Sequence, residues 1–226
     1  MPSEQTQTAA ESEPRERPLA EQQEPGGDAE RPRPEELDPE TRARRDAALR
    51  HVRKLGDPAL RAAALPVDRF DDALKREIER MGTLMADALG IGLAANQVGV
   101  LHRLFVYRVS SEDPIRAVVN PVIEDSSDEL EVAEEGCLSL PGVHVEVERP
   151  AQVRLRGQDA DGQELVVEAS GLEARVIQHE LDHLDGILLV ERLDDAQRKD
   201  ALRILRSRSM DLRPSDPDGL SKLLKL

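Results

Sequence analysis

The tightest constraint on this chain is the hexapeptide Gln178-His179-Glu180-Leu181-Asp182-His183. On an α-helix two histidines four residues apart lie one above the other, so both imidazoles can reach a single divalent metal. The Glu beside the first His then falls near the metal's open position, where a water would sit. Chance can put three fixed residues into five positions of a charged helix, so the flanking sequence decides. Ser170-Gly171-Leu172-Glu173 has the S-x-x-E form of a capping box, which starts a helix by satisfying orphan amide donors in both directions. From there Leu172, Val176, His179 and His183 form one helical stripe, and Gly186 supplies a stop. The stripe places both histidines on the core-facing side of the helix.

A four-coordinate site needs more than two protein ligands. The metzincin pattern H-E-x-x-H-x-x-G-x-x-H is followed as far as Gly186, after which Leu189 stands where the third His would be. Glu191 lies too few residues past His183 for the downstream carboxylate of a thermolysin-like site. Upstream, Cys137 is the only cysteine, set in Glu134-Glu135-Gly136-Cys137-Leu138-Ser139-Leu140-Pro141. A lone cysteine is ordinarily a small buried hydrophobe. A thiolate with two imidazoles is also an accepted catalytic metal set with one position open. A nucleophilic Cys137 paired with a His is the other functional reading, but it leaves Glu180 and the second His without a task.

Composition divides the chain. The first 46 of its 226 residues hold seven of its 15 prolines, no aromatic residue and dense Glu, Arg and Gln. Such a segment buries too little apolar surface to offset chain entropy and is expected to be a disordered extension. It lacks the apolar core of a secretory signal, and its many Glu residues argue against an organellar transit peptide. No run approaches the length needed to span a bilayer. A single Cys forms no intrachain disulfide, which fits a reducing cytoplasm, the expected location. A net charge of −15 disfavours nonspecific nucleic-acid binding while leaving room for a local basic patch that docks on a ribosome.

Between residues 47 and 195 the patterning is that of one α+β domain. Leu74, Ile78, Met81, Met85 and Leu89 recur at helical spacing up to Gly90, a core-packing helix. Gly90-Ile91-Gly92 lacks the third glycine of a phosphate loop; its glycines instead allow close backbone approach to a ligand, with Gln97 offering an amide donor. Strands are expected over 101–109, over 115–123 with an interruption at Asn120-Pro121, over 143–147, 153–156 and 165–169, the last after an Asp161-Gly162 turn. Ile187 to Val190 reads as a further short buried strand. From Asp194 a charged helix carries Arg198, Lys199, Arg203, Arg206 and Arg208, with Leu202 and Leu205 as a thin apolar side, and Pro214 then breaks the tail.

Three motifs in order carry a family resemblance. Gly90-Ile91-Gly92-Leu93-Ala94-Ala95-Asn96-Gln97 resembles the G-x-G-L-A-A-x-Q of the peptide deformylases, with Asn96 at its variable position. Glu135 to Ser139 matches their E-G-C-L-S, and Gln178 to His183 their Q-H-E-x-D-H. The resemblance covers roughly residues 47 to 195, leaving 196–226 as a charged helix and tail, and Gly56-Asp57-Pro58 with Leu60-Arg61 is similar to the family's N-terminal segment.

The resemblance implies an α+β fold around a central metal helix, with Cys137, His179 and His183 holding Fe²⁺, for which Zn²⁺, Ni²⁺ or Co²⁺ substitutes. Glu180 becomes the general acid–base, while Gln97 and the Leu138 N–H face the developing oxyanion. Ile91, Gly92 and His144 become substrate contacts, His144 standing where many relatives carry Arg. A Glu135–Arg149 ion pair braces the Cys loop, and Asp182 fixes an imidazole tautomer. The expected reaction removes formyl from the N-terminal formylmethionine of nascent chains, and the C-terminal helix is expected to touch the ribosome transiently. No membrane and no specific nucleic acid enter this reading. An H-E-x-x-H zinc endopeptidase and a noncatalytic, ribosome-associated metal-binding factor are the rivals.

Overall fold

The computed structural model describes residues 36–211, with side chains through Ser207. In chain order its elements are α1 (Pro39–Leu49), α2 (Asp72–Asp87), β1 (Gly92–Ala94), β2 (Leu104–Tyr107), β3 (Arg116–Ser126), β4 (Leu130–Cys137), β5 (Leu140–Pro150), β6 (Gln152–Gln158), β7 (Glu164–Ser170), α3 (Gly171–Leu184) and α4 (Asp195–Asp211). Short 3-10 helices occupy Pro58–Arg61, Ala95–Val98 and Leu189–Glu191. The sheet order is β1-β2-β3-β6-β7, antiparallel throughout, and β4 and β5 form a separate ribbon. The architecture is α+β, as the patterning predicts.

Strand β2 explains how the layers stack. All four of its residues are buried. Side chains alternate across a strand, and Leu104 and Val106 join a core with Leu74, Met81 and Met85 of α2. Phe105 and Tyr107 join a second core with Ala174, Val176 and Ile177 of α3. The sheet is therefore covered by a helix on each face, and a fully buried side chain of this size contributes roughly 1.5–3 kcal/mol. Tyr107 also fixes the helix: its hydroxyl donates to Glu173 Oε1 at 2.9 Å, and Arg116 pairs with the same oxygen at 3.1 Å. A third core joins Val143 and Val147 of β5 to Leu188, Leu189, Val190 and Ala201 of α4.

Several local expectations change. Asp71 starts α2 by accepting from the amides of Ala73 and Leu74. The helix stops short of Leu89, which adopts a left-handed φ of 59° and is partly exposed. The Asn120-Pro121 interruption is a bulge inside β3, not a break: Asn120, at φ 52°, accepts from the Val67 amide and donates to the Val67 carbonyl and Gln158. Residues 187–190 form no strand; the buried run turns into the 3-10 helix, because a short apolar run fixes burial without fixing period. Ser170 is the N-cap residue of α3, yet the capping box does not close, because Glu173 is committed to Tyr107 and Arg116. Leu172, placed on the core stripe by its spacing, is half exposed.

Helix α1 begins at Pro39, capped by Asp38, inside the stretch that composition assigns to an extension. Residues 1–35, Pro214 and the Asp-Pro-Asp-Gly segment lie outside the described residues, as does the Arg208 side chain. Among the described residues no helix is long and apolar enough to cross a membrane.

Candidate metal centre

Cys137 ends β4 where the ribbon register slips between Gly136 and Cys137, and it faces α3 across the ribbon's inner side. One ligand atom each from Cys137, His179 and His183 lies within 4.8 Å of the others. Cys137 Sγ is 3.2 Å from His183 Nε2, and the two imidazoles meet edge to face with centroids 5.0 Å apart. The three residues singled out from the sequence are thus brought together, although more than forty positions separate the cysteine from either histidine.

The set suits a divalent cation. Desolvation opposes ionisation of the Cys137 thiol, yet the charge of His183 and hydrogen bonds from both histidines hold it well below its ordinary range. Desolvation likewise works to lower His179, and its bonds to Cys137 and Glu135 push it well above the usual value. A thiolate and a buried carboxylate draw cationic character onto His179, which is the charge a dication would supply. His183 Nδ1 and Glu180 Oε2 are buried without partners among the described residues. One thiolate, two imidazoles and an adjoining carboxylate match the donor set of a catalytic site with an open position.

Glu135 organises the surroundings. Its Oε2 lies 2.9 Å from His179 Nδ1, which leaves Nε2 to face the cluster. Arg149 binds the same carboxylate through two bonds of 2.6 and 2.9 Å, and Arg175 adds a third at 2.9 Å. Burial alone would raise this acid, but His179 and Arg149 outweigh it and hold the carboxyl at about 2. Asp182 does not touch an imidazole; it accepts from Arg149 at 2.9 Å and from Arg192 at 3.0 Å, so the orienting carboxylate of His179 comes from the ribbon. Asp182, one turn on from His179, is instead taken up by Arg149 and Arg192, and Glu135 supplies the bond to that ring.

Glu180 is buried, and burial pushes its carboxyl up to about 7 against the pull of the two histidines. Gly92 of β1 makes room for it, since a Cβ there would overlap the Glu180 carboxylate. Gln97 is oriented without ambiguity: its Oε1 accepts from the Ala94 amide at 2.9 Å. Its Nε2 is left 3.2 Å from Ser139 Oγ and 3.6 Å from Cys137 Sγ.

Three consecutive residues brace these loops. Arg53 N–H donates to the Gln97 carbonyl, Lys54 Nζ to the Leu138 carbonyl at 3.0 Å, and Leu55 N–H to the Ser139 carbonyl. Ile91 is half-buried at the start of β1, its carbonyl taken by Arg108 N–H. His144 pairs in register with Gly136 on the outer face of the ribbon, largely exposed, its Nδ1 3.3 Å from Glu134. A groove of about 450 Å³ between α1 and α2, lined by Arg44, His51 and Arg80, touches none of these residues.

Sequence reasoning misses Arg175, Ser139, Lys54 and the part played by Asn96. A signal existed only for Arg175, which precedes His179 by one helical turn and so shares its buried face. Asn96 fills a position the motif leaves open, yet it is fully buried and its amide nitrogen donates to the His183 carbonyl.

The sequence and the fold are similar to those of known proteins. The chain is 49% identical over 162 residues to peptide deformylase 1 of Corynebacterium glutamicum, covering 71% of this chain and 96% of that protein. It is 49% identical over 164 residues to the peptide deformylase of Thermotoga neapolitana, covering 73% and 96%. The fold superimposes on the Legionella pneumophila peptide deformylase with a TM-score of 0.68 at 37% identity, over 72% of this chain and 98% of that one. It also matches the Synechococcus elongatus enzyme solved with actinonin, with a TM-score of 0.66 at 42% identity, over 68% and 85%. Residues 49–199 match the polypeptide deformylase family, and the chain belongs to that family of metal-dependent enzymes.

Proposed function

We propose that this protein removes the formyl group from the N-terminal formylmethionine of newly made proteins in the cytoplasm, releasing formate and a free amino terminus. The observation that supports the chemistry most directly is the Cys137–His179–His183 cluster with the buried Glu180 carboxylate beside it, its Oε2 without a partner among the described residues. Those three side chains would hold the metal, and Fe²⁺ is the proposed ion, with Zn²⁺, Ni²⁺ or Co²⁺ able to substitute at a thiolate–imidazole site. When bound, such an ion supplies a water of lowered pKa and an electrophilic partner for the formyl oxygen.

Glu180 takes the proton of the attacking water and returns it to the departing amine nitrogen. Buried beside the cluster, with Oε2 free among the described residues, its carboxylate can take that proton and give it back. Gln97 Nε2 and the Leu138 N–H donate to the oxygen on which charge develops, and loss of one such donor typically costs on the order of 100-fold in rate. Because β1 is the edge strand of its sheet, an extended peptide can lie along Ile91 and Gly92. The catalytic unit spans residues 47–195. Basic residues Arg198, Lys199 and Arg206 of α4 supply a surface for transient ribosome contact.

The test is formate release from a formyl-Met tripeptide by anaerobically prepared, Fe²⁺-loaded protein beside Glu180→Ala and Cys137→Ser. Turnover by the parent alone is expected. A metal-replete parent that cuts an unformylated peptide and releases no formate would overturn the assignment in favour of an endopeptidase.

A further inference from the structure

Metal-ligating imidazoles need a partner on the nitrogen that does not bind the ion, and that partner sets the tautomer and the ring's orientation. His179 has one in Glu135. His183 has none among the described residues: its Nε2 faces Cys137 Sγ, so an ion held by that nitrogen would leave the ring proton on Nδ1, and Nδ1 is a buried orphan. A buried donor without an acceptor costs about 1–3 kcal/mol, so an acceptor is to be sought nearby. Two other side-chain atoms are orphaned among the described residues, both acceptors: Glu180 Oε2, already assigned to the reacting water, and Asn96 Oδ1. The latter belongs to the one side chain whose amide nitrogen already touches the His183 carbonyl. Oδ1 and Nδ2 share a carbon, so the orphaned oxygen is carried by the side chain that already contacts this histidine.

We propose that Asn96 is the positioning residue of His183, its Oδ1 accepting the Nδ1 proton across a gap that one trapped water or a small ring rotation closes. The inference rests on the metal reading of Cys137, His179 and His183. It makes the two histidines unequal: His179 is backed by a carboxylate, while His183 is backed by a neutral amide. Asn96 therefore has two separable contacts, a donor to the His183 carbonyl and an acceptor for the His183 ring.

The two contacts are separated by Asn96→Ala, which removes both, and Asn96→Asp, which keeps the acceptor at the same volume and loses the donor. The full-length parent and both variants would be loaded with Zn²⁺. Zinc affinity would be measured by chelator competition and the histidine ring protons by ¹⁵N NMR. Expected are a slowly exchanging His183 Nδ1–H in the parent and its loss in Asn96→Ala, with zinc affinity lowered about 10- to 100-fold. Retention of both properties is expected in Asn96→Asp. Equal loss in the two variants overturns the proposal, because the donor bond alone would then matter, and so does parent-like affinity in Asn96→Ala. A parent that binds no zinc through these three residues overturns the metal reading, and the pairing falls with it.

Discussion

At residue 92 an added methyl carbon would stand 2.8 Å from the Glu180 side-chain carboxyl carbon, with no flexible neighbour to give way except the carboxylate itself. Gly92→Ala is therefore expected to move Glu180 and not the ligands. Formate release should fall about 100-fold, the usual scale for a catalytic group displaced by an ångström, while metal content stays at the parent level. Unchanged turnover would show that Glu180 has another low-energy position. The sequence offers Gly92 only as a permissive backbone, because the residue that needs its small size lies far along the chain. Asn96 is the same lesson in reverse. Its motif leaves the position open, and only burial and an orphaned oxygen mark it as meaningful.

β4 escapes a reading of the sequence, because acidic residues and a glycine hide its alternation, whereas helix α3 and part of β5 were legible as elements, since strict alternation and the His-Glu-x-x-His spacing each impose one period. Their docking was not, because it depends on Arg175, an arginine in a stripe where only apolar residues and histidines were sought. Arg175 donates to Glu135 and to the carbonyls of Val147 and Glu131, so it joins both ribbon strands to the helix. Arg175→Met is expected to lower stability by about 3 kcal/mol, the lower range for removing one member of a buried ionic network, as read by urea denaturation. A loss under about 1 kcal/mol would mean that Arg149 holds Glu135 and the ribbon unaided. At the other end of the same helix, the S-x-x-E signature misleads because tertiary partners claim Glu173. Ser170→Ala should therefore change stability by no more than about 0.5 kcal/mol, as an exposed site does, and not by the roughly 1 kcal/mol of a working cap.

At the scale of the molecule, composition reads the class of fold and the charge, while the boundary of the folded part is set by contacts. α1 packs on α2 although its own sequence is strongly polar, and nothing in its periodicity announces that it joins the domain. The whole chain carries one tyrosine and no tryptophan. That tyrosine is Tyr107, between the sheet and α3, with its hydroxyl on Glu173. Burial, and then the Glu173 charge, push its phenol from an ordinary 10.0 up to about 12. A raised folded value stabilises the fold fully below the ordinary pKa, and the contribution fades as pH climbs from about 10 through about 12. Near-ultraviolet absorbance is thus a single-residue optical gauge of the seam between helix and sheet. On alkaline titration the tyrosinate band should stay silent past pH 10 and rise together with loss of far-ultraviolet circular dichroism. A smooth rise centred near 10 with the dichroism intact would mean that solvent enters that seam while the fold persists. With this gauge, ligand binding, metal loss and every substitution in α3 become readable without attaching a label.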